Sequence, residues 1–277
     1  MDVNDLIKQI VNKYFEFYDI EPFEIDVHIT NSLSEIYIKL RPDHINFFSK
    51  EELNKFNELH ATIALPKKKT DPFCVILSDN YLRECVGKGN EDYIGTIAHE
   101  ITHIIDYKTY YRISKAYNYD DIQSIKNNDR NYMFSQWTEY NARRQGYYFL
   151  RSIVWGEDIK GEESIEHIIN KELPFHINHL TEVFESGDSY SKMYTTMQFL
   201  GRLRVWEDLF PDVFTPYLIH ELLSSNLWIE ELHDFFVSYD TLLKVYDRFE
   251  ELKTILSHSF IFDWYLVVDK WEARLID

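Results

Sequence analysis

The segment GTIAHEITHIIDY places His99 and His103 four residues apart, with Glu100 between them. On an α-helix residues i and i+4 project from one face, close enough for two imidazoles to chelate a single ion. Glu100 is rotated by about a quarter-turn from His99, which sets its carboxylate beside that ion, where it can take a proton from water. Zinc held in this way lowers the pKa of water to about 7. The chemistry implied is metal-assisted hydrolysis, with Glu100 as the general base. The setting agrees with the pattern. Ile94, Ile97, Ala98, Ile101, Ile104 and Ile105 fall on one helical stripe about 100° wide, while His99, His103 and Asp106 fall on nearly the opposite side. This predicts a helix anchored in a core by one face and presenting ligands to a cleft by the other.

Such a site needs a third protein ligand. Glu139, in QWTEYNARRQG, lies 36 residues beyond His103 on a predicted helix, with Ala142 and Gly146 near it on the same face. Small residues there would let this helix approach the His-bearing one closely. Rival ligands are Asp106, Glu163, Glu166, His176 and His179. Asp106, a turn past His103, suits orienting an imidazole N–H, and reads equally as a solvated acid. A developing oxyanion also needs a donor. Tyr107, Tyr110, Tyr111, Tyr132, His176 and His179 are chemically able, and nothing selects among the 20 tyrosines. His28, His44, His60, His167, His220, His233 and His258 show no ligand spacing and read as structural.

The elements that must position these residues come from periodicity. Residues 4–18 carry apolar side chains at helical spacing. FEIDVHIT and EIYIKL alternate and read as half-buried strands, with NSLS as the turn between them. Residues 49–58 read as a short helix opened by Ser49, with Glu52 completing a capping box. ATIALP and FCVILS read as two further strands joined by KKKTDP, which makes a sheet of about four. From residue 91 helices dominate, at about 91–108, 131–154, 163–172, 177–186, 189–209, 214–224, 227–236, 239–256 and 259–274. Gly156, Gly161, Pro174, Gly187 and Pro211 fall between them as breakers. The expected fold class is α+β: a small, mostly antiparallel sheet packed on the H-E-x-x-H helix, followed by an all-helical C-terminal part. The WGEDIKGEES stretch suggests a boundary between a domain over 1–155 and a helical one over 156–277.

Composition narrows the function classes. The 277 residues are 45% apolar and carry a net charge of −18, which disfavours nucleic acid and anionic membranes as partners. Two cysteines are too few for a disulfide framework, and Cys74 and Cys85 stand too far apart for a Cys-based zinc motif; Cys74 reads as a buried thiol. The KKK tract at 67–69 reads as a solvated loop tip, and the aromatic stretch FDWYLVVDKW as core. Charges scattered through the N-terminus argue against a signal peptide, and no window approaches a membrane span, so cytoplasm is the expected address.

The arrangement AHEITH followed by E-x-x-A at Glu139 to Ala142 resembles the gluzincin branch of the zincin metallopeptidases, and most closely the ImmA/IrrE group of small intracellular members. The resemblance covers roughly residues 1–155. It implies a zincin-like fold, zinc bound by His99, His103 and Glu139, and Glu100 as catalytic base. Some gluzincins place an aspartate four residues after the third ligand to orient the first histidine. Arg143 stands there in this chain, so Asp106 or Asn141 would have to substitute. The expected activity is a zinc metallopeptidase acting on an intracellular protein or peptide. A zincin-fold protein that binds a partner without cleaving it, or a helical module with an incidental motif, are the alternatives. The oxyanion donor, the substrate and the oligomeric state are not encoded in any pattern of the chain. An edge strand, FCVILS being the candidate, could pair with an extended substrate.

Overall fold

A computed structural model describes residues 3–67, 71–116, 119, 129–224 and 227–261. The chain is α+β, with a small three-stranded mixed sheet and a helical C-terminal part. It divides into two compact units. The first comprises the described residues of 1–124 together with Gln145–Val154, and the second those of 125–144 and 155–277.

In the first unit α1 (Val3–Phe17) buries Ile7, Ile10, Tyr14 and Phe15 at helical spacing and packs on the long helix α5 (Asp92–Ser114). Tyr14 Oη and Thr102 Oγ1 of α5 lie 2.6 Å apart. The Thr102 hydroxyl already donates to the Ala98 carbonyl at 2.8 Å, so the phenol is the donor between the two. The three strands that follow α1 in the chain form one sheet, in the order β1 (Ile25–Thr30), β3 (Phe73–Ser78), β2 (Ala61–Ala64). β1 pairs with β3 in parallel, Ile25 opposite Phe73, and β2 pairs with β3 antiparallel, Ala61 opposite Leu77. The short helix α3 (Lys50–Phe56) opens on Ser49 with both halves of the expected capping box present.

Three features differ from the expectations. EIYIKL is not a strand: it lies in helix α2 (Leu33–Leu40). Ile36, Ile38 and Leu40 satisfy a period of two, but Leu33 and Tyr37, one helical turn apart, are the residues that become buried. The sheet therefore has three strands, and α2 and α3 form the crossover that a parallel β1–β3 pair requires, so it is mixed and not mostly antiparallel. FCVILS is the central strand, buried along nearly its whole length, and its backbone is engaged on both sides. The available edges are β1 and β2. Helix α4 (Asp79–Lys88) had no counterpart in the periodicity, because only Leu82 and Cys85 of its ten residues are buried.

The second unit is helical. It takes the first part of α6 (Asp129–Trp155) and continues through α7 (Glu162–His167), α8 (Leu173–Ser186), α9 (Ser189–Leu209), α10 (Pro216–Leu223), α11 (Leu227–Ser238), α12 (Leu242–Tyr246) and α13 (Phe249–Ile261). Pro174 does not break the helix. It occupies the first turn of α8, where its missing N–H is tolerated, and a π-helical turn over Ile168–Glu172 joins α7 to α8. The helix expected over 239–256 is divided at Asp247 and Arg248 into α12 and α13. Beyond Ile261 the helix expected over 259–274, with the FDWYLVVDKW stretch, lies outside the described residues, as do Lys68 and Lys69 of the KKK tract. Trp206, Leu200 and Leu203 of α9 are fully buried, and Tyr140 of α6 stacks on Phe236 of α11 with centroids 4.2 Å apart. Among the described residues no helix is long and apolar enough to cross a membrane.

Candidate metal centre

Helix α5 carries His99, Glu100 and His103 into the interior. Its apolar stripe is buried as the spacing predicts, with Ile97, Ala98, Ile101 and Ile104 at 1% exposure or less. The polar side is covered too: His99, Glu100, His103 and Asp106 each keep less than a tenth of their surface. Covering that side requires a neighbour that can come very close, and α6 does. A Cβ on Gly146 would lie 2.9 Å from the Gly95 carbonyl oxygen and 2.9 Å from the His99 backbone nitrogen. One turn further on, Leu150 meets Gly95, so α6 runs antiparallel to α5 at this crossing.

The two imidazoles converge. His103 Nε2 lies 3.0 Å from His99 Nε2, with the rings nearly perpendicular at 89° and their centroids 4.5 Å apart. Glu139 stands two turns before Gly146 on the same unbroken helix, and the boundary between the two units falls inside that helix, after Arg144. A carboxylate oxygen of Glu139 and one ring nitrogen from each histidine all lie within 4.8 Å of one another. Among the described residues Glu139 is the sole one of the six candidate third ligands to share such a cluster with His99 and His103. Glu163, Glu166 and His179 are exposed, and His176 is half-buried.

Glu139 is supported from its own unit. Gly201 of α9 sits so close to α6 that a Cβ there would meet the Tyr140 carbonyl oxygen at 2.6 Å. One turn earlier on α9, the Gln198 amide donates to Glu139 Oε2 at 3.4 Å. The glutamate keeps a partial opening to solvent, yet surrounding protein raises its carboxyl to about 7, against the opposing pull of Arg143 and Gln198. Gln198 was not among the expected site residues. The signal available was a glycine and an amide three residues apart on one helix, which carries meaning only once the facing helix is known.

The other candidates take different places. Asp106 is buried on α5, and its charge adds to burial in raising the Tyr14 phenol. Asn141 is buried on α6. Arg143 brings a cation toward Glu139 where the aspartate of some gluzincins would bring an anion. Its charge also reaches His176, which burial, Arg202, Arg143 and His179 together lower to about 2, leaving a neutral imidazole. Of the tyrosines, Tyr110 is buried, Tyr111 stacks on Tyr119, and burial pushes Tyr132 up to about 12, so it keeps its proton. His44, His60, His220 and His233 have structural partners: Tyr37 Oη, the Tyr81 ring, Glu230 and Glu207.

The donor set fits a zinc ion. Two ligands at tetrahedral positions around zinc lie roughly 3.3 Å apart, and two histidines with one carboxylate leave a fourth position for substrate or water, as catalytic zinc sites do. The 3.0 Å between the two Nε2 atoms is close to that spacing. No family model matches the chain, and no curated protein or solved structure matches it either.

Proposed function

We propose that the chain is a zinc-dependent peptidase of zincin type, in which His99, His103 and Glu139 hold the metal and Glu100 is the general base. The observation that carries this reading is the convergence of those three ligand atoms from two helices on a buried face of α5. The resemblance of AHEITH and the downstream E-x-x-A to the gluzincins supports the same reading, and with it a cytoplasmic protein or peptide substrate. Zinc at this position would supply Lewis acidity, polarising a carbonyl and making water a stronger acid.

The chain's own residues do the rest. Glu100 takes the proton of the attacking water as the C–O bond forms, and passes it to the amide nitrogen as the C–N bond breaks. Glu100 is buried on α5, which shields its carboxylate from bulk water. The neutral phenols and the neutral His176 are chemically suited to donating toward an oxyanion. α5 packs against β2 and β3, so of the two sheet edges β2 is the one beside the histidine helix. As an edge strand, β2 is suited to aligning an extended peptide by strand addition.

The test is Glu100→Gln. Zinc-loaded wild type, incubated with a peptide library, should generate new termini detectable by mass spectrometry. The variant should hold the same zinc and the same fold while cleaving about 10²–10⁴-fold more slowly. Equal rates in both proteins, or no cleavage by zinc-loaded wild type, would refute the reading.

A further inference from the structure

A second set of ligating side chains lies in the sheet of the first unit. Asp26 and His28 alternate along the edge strand β1, so both point to the same face, and the parallel register sets Asp26 directly opposite Cys74 of β3. Residues of that face, Cys74 and Ile76, pack with Leu33 and Tyr37 of α2. The other face of β3 presents Phe73, whose ring lies 5.8 Å from the ammonium of Lys108 on α5. The Asp26, His28 and Cys74 face is therefore the one turned to α2, and the opposite face is turned to the helix that carries His99 and His103.

A carboxylate oxygen of Asp26, a ring nitrogen of His28 and the Cys74 Sγ all lie within 4.8 Å of one another. His28 Nε2 is buried and has no hydrogen-bond partner, a costly arrangement for a polar atom unless something else engages it. The carboxylates of both Asp26 and Asp71 act electrostatically on the Cys74 thiol. Negative charge around a sulfur and an imidazole is what a divalent cation requires. Asp26 is exposed, which leaves an entry path.

We propose that Asp26, His28 and Cys74 form a second metal site, for a zinc-class transition ion, that pins the edge strand β1 to the central strand β3. A thiolate, an imidazole and a carboxylate select such an ion over magnesium or calcium, which take all-oxygen shells. As the metal–sulfur bond forms, the Cys74 thiol releases its proton to solvent. His28 binds through a neutral ring nitrogen and keeps its proton on the other. Single-residue periodicity does not reveal such a site, because its ligands meet across strands 46 or more residues apart in the chain.

Cobalt(II) titration of the metal-free full chain tests this. A sulfur-to-cobalt charge-transfer band in the near ultraviolet reports this site alone, because the His99–His103–Glu139 set contains no sulfur. The band should saturate by two equivalents per chain in wild type and at one in His99→Ala/His103→Ala, vanish in Cys74→Ser, and persist in Cys85→Ser. If Cys74→Ser does not fold, His28→Ala decides: cobalt should bind about tenfold or more weakly. Absence of the band in wild type, its survival in folded Cys74→Ser, its loss in folded Cys85→Ser, or unchanged affinity in His28→Ala would each overturn the proposal.

Discussion

Replacing Gly146 by alanine tests whether contact between α5 and α6 is what assembles the centre. The added Cβ would sit 2.9 Å from the Gly95 carbonyl oxygen, 2.9 Å from the His99 nitrogen and 3.1 Å from the His99 Cα. All three are backbone atoms, so no side chain can swing aside. Ordinary contact begins at 3.4 Å, and the helices would have to part by about half an ångström. Overpacking of this kind costs about 1–3 kcal/mol, and the better helix propensity of alanine offsets about 0.5–1 kcal/mol of it. The net expectation is a loss of roughly 0–2.5 kcal/mol, centred near 1. Gly87→Ala supplies the control. Gly87 is an exposed helical glycine with nothing within 4 Å of a built Cβ, and alanine there should stabilise by about 0.5 kcal/mol. Urea unfolding of the metal-free proteins measures both. Glu139 rides on the displaced helix, and metal–ligand distances tolerate only about 0.2 Å, so zinc affinity of Gly146→Ala should fall by about tenfold or more. A Gly146→Ala protein as stable as Gly87→Ala, with zinc affinity unchanged, would show that this close approach does not build the site.

Gln198→Leu removes the amide that donates to Glu139; metal affinity by competition with a chromogenic chelator should fall roughly tenfold, with the fold retained by circular dichroism. Asp43 is held down to about 2, first by its hydrogen bond from the buried Arg41 guanidinium. A carboxyl depressed in the folded state contributes stability above its unfolded pKa of about 4 and loses it as pH falls toward the folded value. Asp43→Asn should therefore be less stable than wild type at pH 7, and the gap measured by urea unfolding should close between about pH 4 and pH 2.

What could be read from residues alone follows from how local each signal is. The capping box at Ser49 and Glu52 is a four-residue pattern, and it formed as expected. ATIALP and FCVILS were expected as strands and hold β2 and β3, which pair antiparallel. EIYIKL carried two periods at once, and the choice between them was made by the burial of Leu33 and Tyr37 against Ala64, Cys74 and Ile76, residues far along the chain. The parallel pairing of β1 with β3 is equally non-local, which is why the central place of FCVILS and the meeting of Asp26, His28 and Cys74 were not legible. In the candidate centre, His99, Glu100 and His103 were readable because one helix turn brings them together. Glu139 was readable because Gly146 marks the face on which α6 can touch its neighbour. Gln198 was not, because its role depends on the crossing at Gly201.

The central claim is that His99, His103 and Glu139 hold one zinc ion. Elemental analysis of untagged, zinc-equilibrated protein tests it most directly, with wild type beside His99→Ala/His103→Ala and Glu139→Gln. The double variant should hold one zinc fewer per chain than wild type, and Glu139→Gln should lose that same equivalent to mild chelation. Equal zinc content in all three proteins, or a wild type that takes up no zinc, would contradict the account.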